Sequence, residues 1–557
     1  MSKHIRWQLL FALGGMMAVL LVTAYLSTRF DTVRLVEAGG SYREAIVGAP
    51  TNLNPLYLST QTDRDISSLL FNRLTRPTIT GDIMPDLATD WTVARDGRRY
   101  TFTLRADMRW HDGTPFTATD VAYTVGVLQS EAYTGNPAFS EMWRSVTIEV
   151  LNPTTIAFLL PEEIAPFAPF LSFTTFYVLP AHLLRDIPVE ALATSDFSVR
   201  PIGTGPWRVE RVAVDEVSLV PNADYPATPP ILSRFIFRFF PTIGDALAAY
   251  RNGEVLGIAD VPPSNLPAVV SLNTLSLYPA PVTSYTAMFF NLDRENLQTL
   301  TMREALVGSI DRAQITSDVL KDGALPDNAF LMPMHWAYPS EPLRIPSRPD
   351  VAATQLDEMG WLRGDDGVRV NEGRTLRMTL LVNEDNAERL AVAEAIAQQW
   401  EAQGIRVELR ALDPQSLLNR LEARDFDAVI LSPGRGNAPA DPDFYPLWHS
   451  SQIENGQNIA GFNNELADQL LVEARRTLDR EQRAELYDQF QQLLATELPA
   501  LPLYHSLYNY AVNEQMLNVT VGPLHVPSER FTSLPDWSLR TKRYIRVPAN
   551  SVTETAE

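Results

Sequence analysis

Apolar and polar positions alternate with period two along Tyr100-Thr101-Phe102-Thr103-Leu104, which puts residues 100, 102 and 104 on one face of a strand. Asp96-Gly97 and Asp112-Gly113 flank this run, and such pairs suit turns that need positive φ. Beyond Pro115 the period lengthens. Val121, Thr124, Val125 and Leu128 fall on one helical face, and Thr117 or Thr119 can cap it. Strict alternation returns between Trp143 and Leu160, with Val146, Ile148 and Val150 set against Ile156, Phe158 and Leu160 around Asn152-Pro153, the pattern of a hairpin. The Pro- and aromatic-rich run at 161–180 is too interrupted for a long helix.

On either side of this region the pattern alternates strands with helices. Ala45-Ile46-Val47-Gly48 reads as a short strand. An Asn-Pro turn at 51–56 then leads to a helix over about 62–73, with Ile66, Leu69, Leu70 and Leu74 inward. A strand is predicted over 207–220. Phe235–Phe240, Ile243–Tyr250 (ended by Gly253) and Val255–Val261 then read as strand, helix, strand. Phe289-Phe290-Asn291 ends another strand. The clearest series follows: strand Leu376–Val382, helix Ala387–Gln403 capped by Gly404, strand Ile405–Leu412, helix Pro414–Arg424 and strand Phe426–Leu431. Such alternation means a mostly parallel sheet, and ligands of such sheets bind at the carboxyl ends of the strands, so the loop after Leu431 is a candidate site from topology alone. Two helices, about 465–478 and 480–496, precede a strand pattern at Leu501-Pro502-Leu503-Tyr504.

Residues 7–28 carry no charge. At 1.5 Å per residue they span about 33 Å, enough for a hydrocarbon core of about 30 Å. Lys3 and Arg6 precede the stretch, which sets the N-terminus in the cytoplasm and the rest outside. Its length and its poor cleavage site (residues 25–29) favour an uncleaved anchor over a cleaved signal.

Composition narrows the function. The 557 residues are 45% apolar and 20% charged, ordinary for a globular protein with room for several lobes. A net charge of −21 argues against nucleic acid as a partner. Lysine occurs only at 3, 321 and 542, so arginine supplies nearly all the basic charge, as a biased genome composition would produce. With no cysteine there is no disulfide, thiolate metal site, Cys nucleophile or lipid-modified Cys. The seven histidines form no close ligand pair and no His-Glu-x-x-His, so no metal site is expected. There is no Gly-x-Ser-x-Gly elbow. Gly203-Thr204-Gly205-Pro206-Trp207 lacks a following Gly-Lys-Ser and reads as a backbone turn, not a phosphate loop. His111 beside Asp112 reads as a structural turn, and Asp365-Asp366-Gly367 as a hairpin turn. No cofactor is implied.

The stretch 81–125 carries Pro85-Asp86-Leu87-Ala88, Trp91, Asp96-Gly97, the run 100–105, Trp110-His111-Asp112-Gly113, Pro115-Phe116 and Asp120-Val121. It resembles the signature segment of the family-5 extracellular solute-binding proteins, the dipeptide- and oligopeptide-binding components of ABC importers. Gly203–Trp207, Met302–Leu306 and Ile310-Asp311-Arg312 are similar to further family text, and the resemblance covers about residues 40–540. It implies an α/β, bilobal periplasmic-binding-protein-like (Venus-flytrap) fold with an extra small α/β lobe, here after an N-terminal transmembrane helix. The expected division is 1–34 cytoplasmic tip and anchor or signal, 35–75 first part of lobe I, 76–199 inserted lobe II, and 200–285 second part of lobe I. Lobe III would take 286–499, the return to lobe I 500–545, and a tail 546–557.

In peptide-binding relatives the region after Leu431 carries Trp-x-x-Asp shortly before Asp-Pro, and that acid pairs with the peptide's α-ammonium. Here Asp441-Pro442 is present, but the acid's place falls on Ala438 and the Trp's on Arg435. Arg435 and Asn437 are therefore expected to line the pocket, favouring an anionic or polyhydroxy ligand or an end-blocked peptide, with Asp441 beside them. The other expected cleft residues are Asn54, Tyr285, Asn291 and Trp336. The resemblance implies a monomeric, outward-facing binding component, held at the cell membrane by its N-terminal helix. It would capture a peptide-like or other small solute and deliver it to the transmembrane subunits of an ABC permease. A ligand sensor on the same fold is the alternative, and a hydrolase the remoter one.

Overall fold

Among the described residues eleven strands form one central sheet. In chain order they are β1 (Ser41–Val47), β2 (Trp207–Val212), β3 (Glu216–Pro221), β4 (Arg234–Phe240), β5 (Gly257–Ile258), β6 (Leu275–Phe290), β7 (Ala324–Pro326), β8 (Arg377–Asn383), β9 (Arg406–Leu412), β10 (Ala428–Leu431) and β11 (Ala500–Asn513). The spatial order is β9-β8-β10-β6-β11-β5-β1-β4-β3-β2, with β7 pairing β11 off this path. This computed structural model describes residues 14–22, 32–137, 140, 143–161, 176–326, 328–342, 346–433, 442–454, 456–477, 479–539 and 541–545.

The sheet is mixed and not mostly parallel: its parallel pairs lie around β1 and β8, where strands alternate with helices, and the edge β4-β3-β2 is antiparallel. Strand β1 runs parallel to β4 and β5, and β8 runs parallel to β9 and β10. Between them β6 and β11 form a long antiparallel pair. Each of these two strands passes from one hydrophobic core to another. Ala280, Val282, Tyr508, Tyr510 and Val512 pack into the core around β1–β4, whereas Met288, Phe290, Leu501 and Tyr504 pack into the core around β8–β10. A third cluster, with Ala287, Phe289 and Ala500, covers the other face of that second half under the helices Glu465–Arg476 and Arg480–Glu497.

A separate antiparallel sheet joins Ala88–Val93, Arg99–Leu104, Thr155–Leu159 and Thr147–Asn152. Tyr100, Phe102 and Leu104 are buried on its inner face, as their spacing predicts. The helix Ala118–Gln129 packs there, N-capped by Thr117 with Asp120 completing a capping box. The core of this sheet runs without a break into that of β1–β4.

Two expectations shift. The predicted strand 207–220 is a hairpin, β2 and β3, because Val214 and Asp215 sit at a solvent-exposed turn closed by the Ala213 N–H donating to the Glu216 carbonyl. Val150, expected inward, is exposed because its strand is the sheet's edge. Of the apolar stretch 7–28, residues 14–22 are helical with exposed side chains, and the rest lies outside the described residues. No helix among the described residues is long and apolar enough to cross a membrane.

The Gly-Thr-Gly and Trp-His-Asp-Gly motifs meet. Gly203 and Gly205 press on the end of the helix Gln61–Leu70, where a Cβ at 203 would stand 1.8 Å from the Leu70 carbonyl oxygen and one at 205 would stand 2.5 Å from that of Leu69. The Gly203 N–H donates to His111 Nδ1 at 3.1 Å, so neutral His111 carries its proton on Nε2 and donates it to the Gly205 carbonyl at 3.1 Å. Thr204 Oγ1 donates to Asn72 Oδ1, and the Asn72 amide and Arg73 N–H donate in turn to Asp86. The motif thus closes a backbone joint.

Burial holds the His111 imidazole down to about 4 from its ordinary 6.5, since a second proton would set Nδ1–H against the Gly203 N–H. The unfolded chain therefore takes up this proton first as pH falls. The His111 contribution to stability is whole above about pH 6.5 and is lost as pH falls toward about 4, up to about 3 kcal/mol. His111→Gln should be less stable than the native chain at pH 7 by about 1–3 kcal/mol, with the gap narrowing by pH 4.5. Urea unfolding at the two pH values checks this, and a constant gap would refute it.

Candidate functional site

Strand β6 carries proline at 279 and 281, which cannot donate to a ladder. Its pairing with β11 breaks there, from Pro281 opposite Leu507 to Tyr285 opposite His505, so that residues 282–284 bulge. The segment before His525 fills the gap. Leu524 N–H donates to the Pro281 carbonyl and Thr283 N–H to the Leu524 carbonyl, each at 2.9 Å. His505 Nδ1–H donates to the Ser284 carbonyl at 3.2 Å, and Ser432 Oγ–H to the Tyr285 carbonyl at 2.7 Å. The bulge lies where β6 and β11 leave one core for the other.

Against this bulge lies a cavity of about 880 Å3, part of it open to solvent. Thr283, Ser284 and Tyr285 form one wall, and Phe330, Leu331, Met332 and His335, from the loop after β7, form a second. Pro433, Pro442, Asp443, Phe444, Pro446 and Leu447, from the described flanks of the loop after β10, supply a third, with Gln457 and His525 completing the lining. The lining is thus mainly aromatic, aliphatic and proline, with a few polar groups, as such sites are. The Tyr285 ring stands edge-on to Phe330 at 5.3 Å.

Its polar groups are held from behind. Asp443 is paired with Arg475, whose Nε and Nη2 donate to the two carboxylate oxygens at 2.9 and 2.5 Å, and the guanidinium lies 3.8 Å from the centre of the Tyr445 ring. His335 Nδ1 accepts from the Ala337 N–H at 3.1 Å, so the neutral ring carries its proton on Nε2. His525 is 4% exposed, and its Nε2–H donates to the Thr78 carbonyl at 2.6 Å. Among the described residues no cluster of His, Asp and Glu could hold a metal.

Of the expected residues, Tyr285 lines the cavity. Asn54 is fully buried in the turn before the helix Gln61–Leu70, where it donates to the Leu192 carbonyl and accepts from Leu56 N–H. Asn291 is fully buried at the end of β6, donating to the Arg424 and Phe426 carbonyls at 2.9 and 3.0 Å and so shaping the approach to β10. Trp336 follows His335 in the chain but packs on Tyr487 of the helix Arg480–Glu497. Arg435, Asn437 and Asp441 lie outside the described residues. Sequence reading missed Phe330, Met332, His335, Phe444, Leu447 and His525. The prolines at 433, 442 and 446 exclude a long helix from the third wall, whose described part holds the short helix Tyr445–Trp448, but no periodicity could bring His525 to residue 283.

The model of the bacterial extracellular solute-binding proteins, family 5 Middle, matches residues 82–455, and the chain belongs to that family. It is 27% identical to the oligopeptide-binding protein AppA of Bacillus subtilis (strain 168) over 86% of this chain and 89% of that protein. The structure of AppA from Bacillus subtilis in complex with a nonapeptide matches with a TM-score of 0.71 at 25% identity, covering 91% of this chain and all of that one (100%). NikZ from Campylobacter jejuni in complex with Ni(L-His) matches with a TM-score of 0.72 at 25% identity, over 89% of this chain and 99% of that one.

The cavity wall and the β6 end should respond differently to truncation. Asn291→Ala removes both donors to a loop, and should lower stability by about 1–3 kcal/mol without changing ligand-induced stabilisation. Tyr285→Ala should leave the unliganded melting temperature within a few degrees and abolish most of the shift on adding the small molecules carried through native purification. Calorimetric melting of both variants, with and without those molecules, reads the difference.

Proposed function

We propose that the chain is the outward-facing substrate-binding component of an ABC importer, which captures a peptide or other small solute between two closing lobes and hands it to the permease. The observation that carries this is the position of the cavity: it lies against the bulge where the two connecting strands pass between cores, so closing about those strands would enclose its contents. The relatives named for an oligopeptide and a nonapeptide support a peptide-like ligand. A ligand favours the closed form only by its differential affinity for it, so the bulge must allow both forms at similar energy. In this reading residues 35–75, 200–285 and 500–545 build one lobe and 286–499 the other. Residues 76–199 form an extra small lobe.

The wall also bears on what the ligand carries. Among the described lining residues Asp443 is the one carboxylate, and Arg475 already holds it through two bonds. A ligand ammonium would have to displace a guanidinium stacked on Tyr445, so Asp443 is a poor amine anchor. Tyr285 is read as the aromatic contact and Arg435 and Asn437 as pocket residues, favouring an anionic, polyhydroxy or end-blocked ligand over a free peptide amine. Mass spectrometry of small molecules released from the natively purified protein tests this. A peptide, or another small solute without a free α-amine, is expected. Recovery of free-amine dipeptides that bind the Arg435→Ala variant as tightly as the native chain would overturn it.

The uncharged run 7–28, behind Lys3 and Arg6, is read as an uncleaved anchor that keeps the body outside the cell membrane. Intact-mass measurement of the membrane fraction should give a chain starting at or next to Met1, and a start near residue 30 would refute the anchor.

A further inference from the structure

The hairpin of Thr75–Pro77 and Ile83–Pro85 stands beside the cavity and touches both halves of the molecule. Its base belongs to the first core, where Leu74, Leu87 and Ala88 are buried on either side of it. Its tip, residues 78–82, reaches two further groups. The Thr78 carbonyl accepts from His525 Nε2–H at 2.6 Å, and His525 lines the cavity. Asp82 is ion-paired with Arg480, the first residue of the helix Arg480–Glu497, and Arg480 Nη2 also donates to the Thr80 carbonyl at 3.1 Å. That helix belongs to a different core, through Tyr487, Phe490 and Leu494. Arg480 and Arg483 both lie on the Trp336 ring, at 5.1 and 5.0 Å from its centre, and Trp336 follows the cavity residue His335.

One short turn is therefore fastened to the cavity wall on its own side and to a guanidinium on the other. The two sides are joined covalently through β6 and β11, whose pairing breaks at 282–284. A rotation about that break that parts the halves also parts Asp82 from Arg480, so their pair belongs to the form in which the halves are close. We propose that the 75–85 hairpin is a latch across the cleft, in which the Asp82–Arg480 pair and the Arg480–Thr80 hydrogen bond hold the closed form and slow the escape of the ligand, with Trp336 positioning the guanidinium from its own side. This rests on the binding-protein reading above.

The pair is partly exposed, at 50% for Asp82 and 41% for Arg480, so its strength is modest and salt-sensitive. Modest strength suits a latch that must also open, since each tenfold of closed-state bias slows release without needing new ligand contacts. Trp336 adds a surface that keeps the guanidinium in place when the carboxylate lets go.

The absence of cysteine allows a clean test. Val214→Cys and Leu418→Cys place two dyes at exposed positions, 97% and 47% accessible, on opposite ends of the central sheet. Single-molecule energy transfer then counts closed and open molecules. Three preparations are compared: as purified, stripped by urea and refolded, and refolded with a synthetic N-acetylated random-sequence nonapeptide pool. Asp82→Asn should lower the closed-to-open ratio about threefold, and Arg480→Gln, which also loses the Thr80 contact across the cleft, about tenfold. The swap Asp82→Arg with Arg480→Asp should recover part of the loss. A native chain whose populations shift between preparations, with single variants that match it, would overturn the latch alone. So would a charge swap no better than the single variants. A native chain with one unmoving population in all three preparations would overturn the closing reading and the latch together.

Discussion

A guanidinium shut away from water ties the start of the fold to its end. Arg530 is fully buried and donates to Glu44 of β1 at 2.5 Å and to Asp65 of the helix Gln61–Leu70 at 2.7 Å. Tyr510 of β11 donates its hydroxyl to the other Glu44 oxygen, which leaves the Tyr510 oxygen to accept from Tyr42 at 2.7 Å. Phe531 lies under the guanidinium at 4.0 Å. Two carboxylates share one cation here, and burial pushes the Glu44 carboxyl up from its ordinary range against the pull of Arg530. Removing the arginine would strand both acids in the core, at a cost of about 3–5 kcal/mol. Replacing the whole set by apolar groups need cost nothing, so the network stabilises less than it specifies. What it specifies is register: residues near 44, 65, 510 and 530 meet in one arrangement only. Five residues before Arg530, His525 is brought to the cavity, with its backbone N–H held by Glu529.

The second constraint is that β6 and β11 must be both stiff and breakable. Over 286–290 and 500–504 they carry an ordinary apolar ladder between two cores. At 281–285 proline removes a donor and the ladder opens, yet the carbonyls of Pro281, Ser284 and Tyr285 are all satisfied, by Leu524, His505 and Ser432. A buried backbone group without a partner would cost about 1–3 kcal/mol, so an open ladder needs these substitutes. They come from three distant parts of the chain, which is why the bulge is also where the walls of a cavity converge. Hinge and pocket adjoin here because the groups that satisfy the broken strand stand next to the lining: Leu524 precedes His525, Ser432 precedes Pro433, and His505 pairs with Tyr285.

Much of the frame was legible in the residues. The period-two run at 100–104, the Thr117 cap and the βαβ alternation of 376–431 each depend on neighbours in sequence, and each element stands within a few residues of its expected place. The hairpin turn at 213–215 was not legible, because apolar Val214 continues the strand pattern through a turn that only tertiary exposure reveals. The cavity was legible only where topology speaks, at the loop after Leu431. Tyr285 was expected there and lies in the wall, whereas Asn54 and Asn291 hold backbone carbonyls at the ends of elements. An asparagine beside a strand end has the same local sequence signature whether its amide faces a ligand or a carbonyl. His335 and His525 carried no spacing signal at all, since 190 residues separate them and no motif links them.

The stretch 81–125 identifies the family, and its physical role divides in two. Its Trp-His-Asp-Gly half is inert scaffolding: His111 is locked between Gly203 and Gly205, and its neutral state is part of the joint. Its first residues do something else. Asp82 ends the tip of the hairpin, whose base Asp86 anchors by accepting from Asn72 and Arg73. A rigid base is what gives an exposed ion pair leverage, because a pair on a floppy turn loses to side-chain and backbone entropy what it gains in attraction. The half-buried Asp86 contacts remove the backbone part of that cost in advance. A modest surface contact between Asp82 and Arg480 can therefore bias a whole-body motion, although the same contact on an unsupported loop would not.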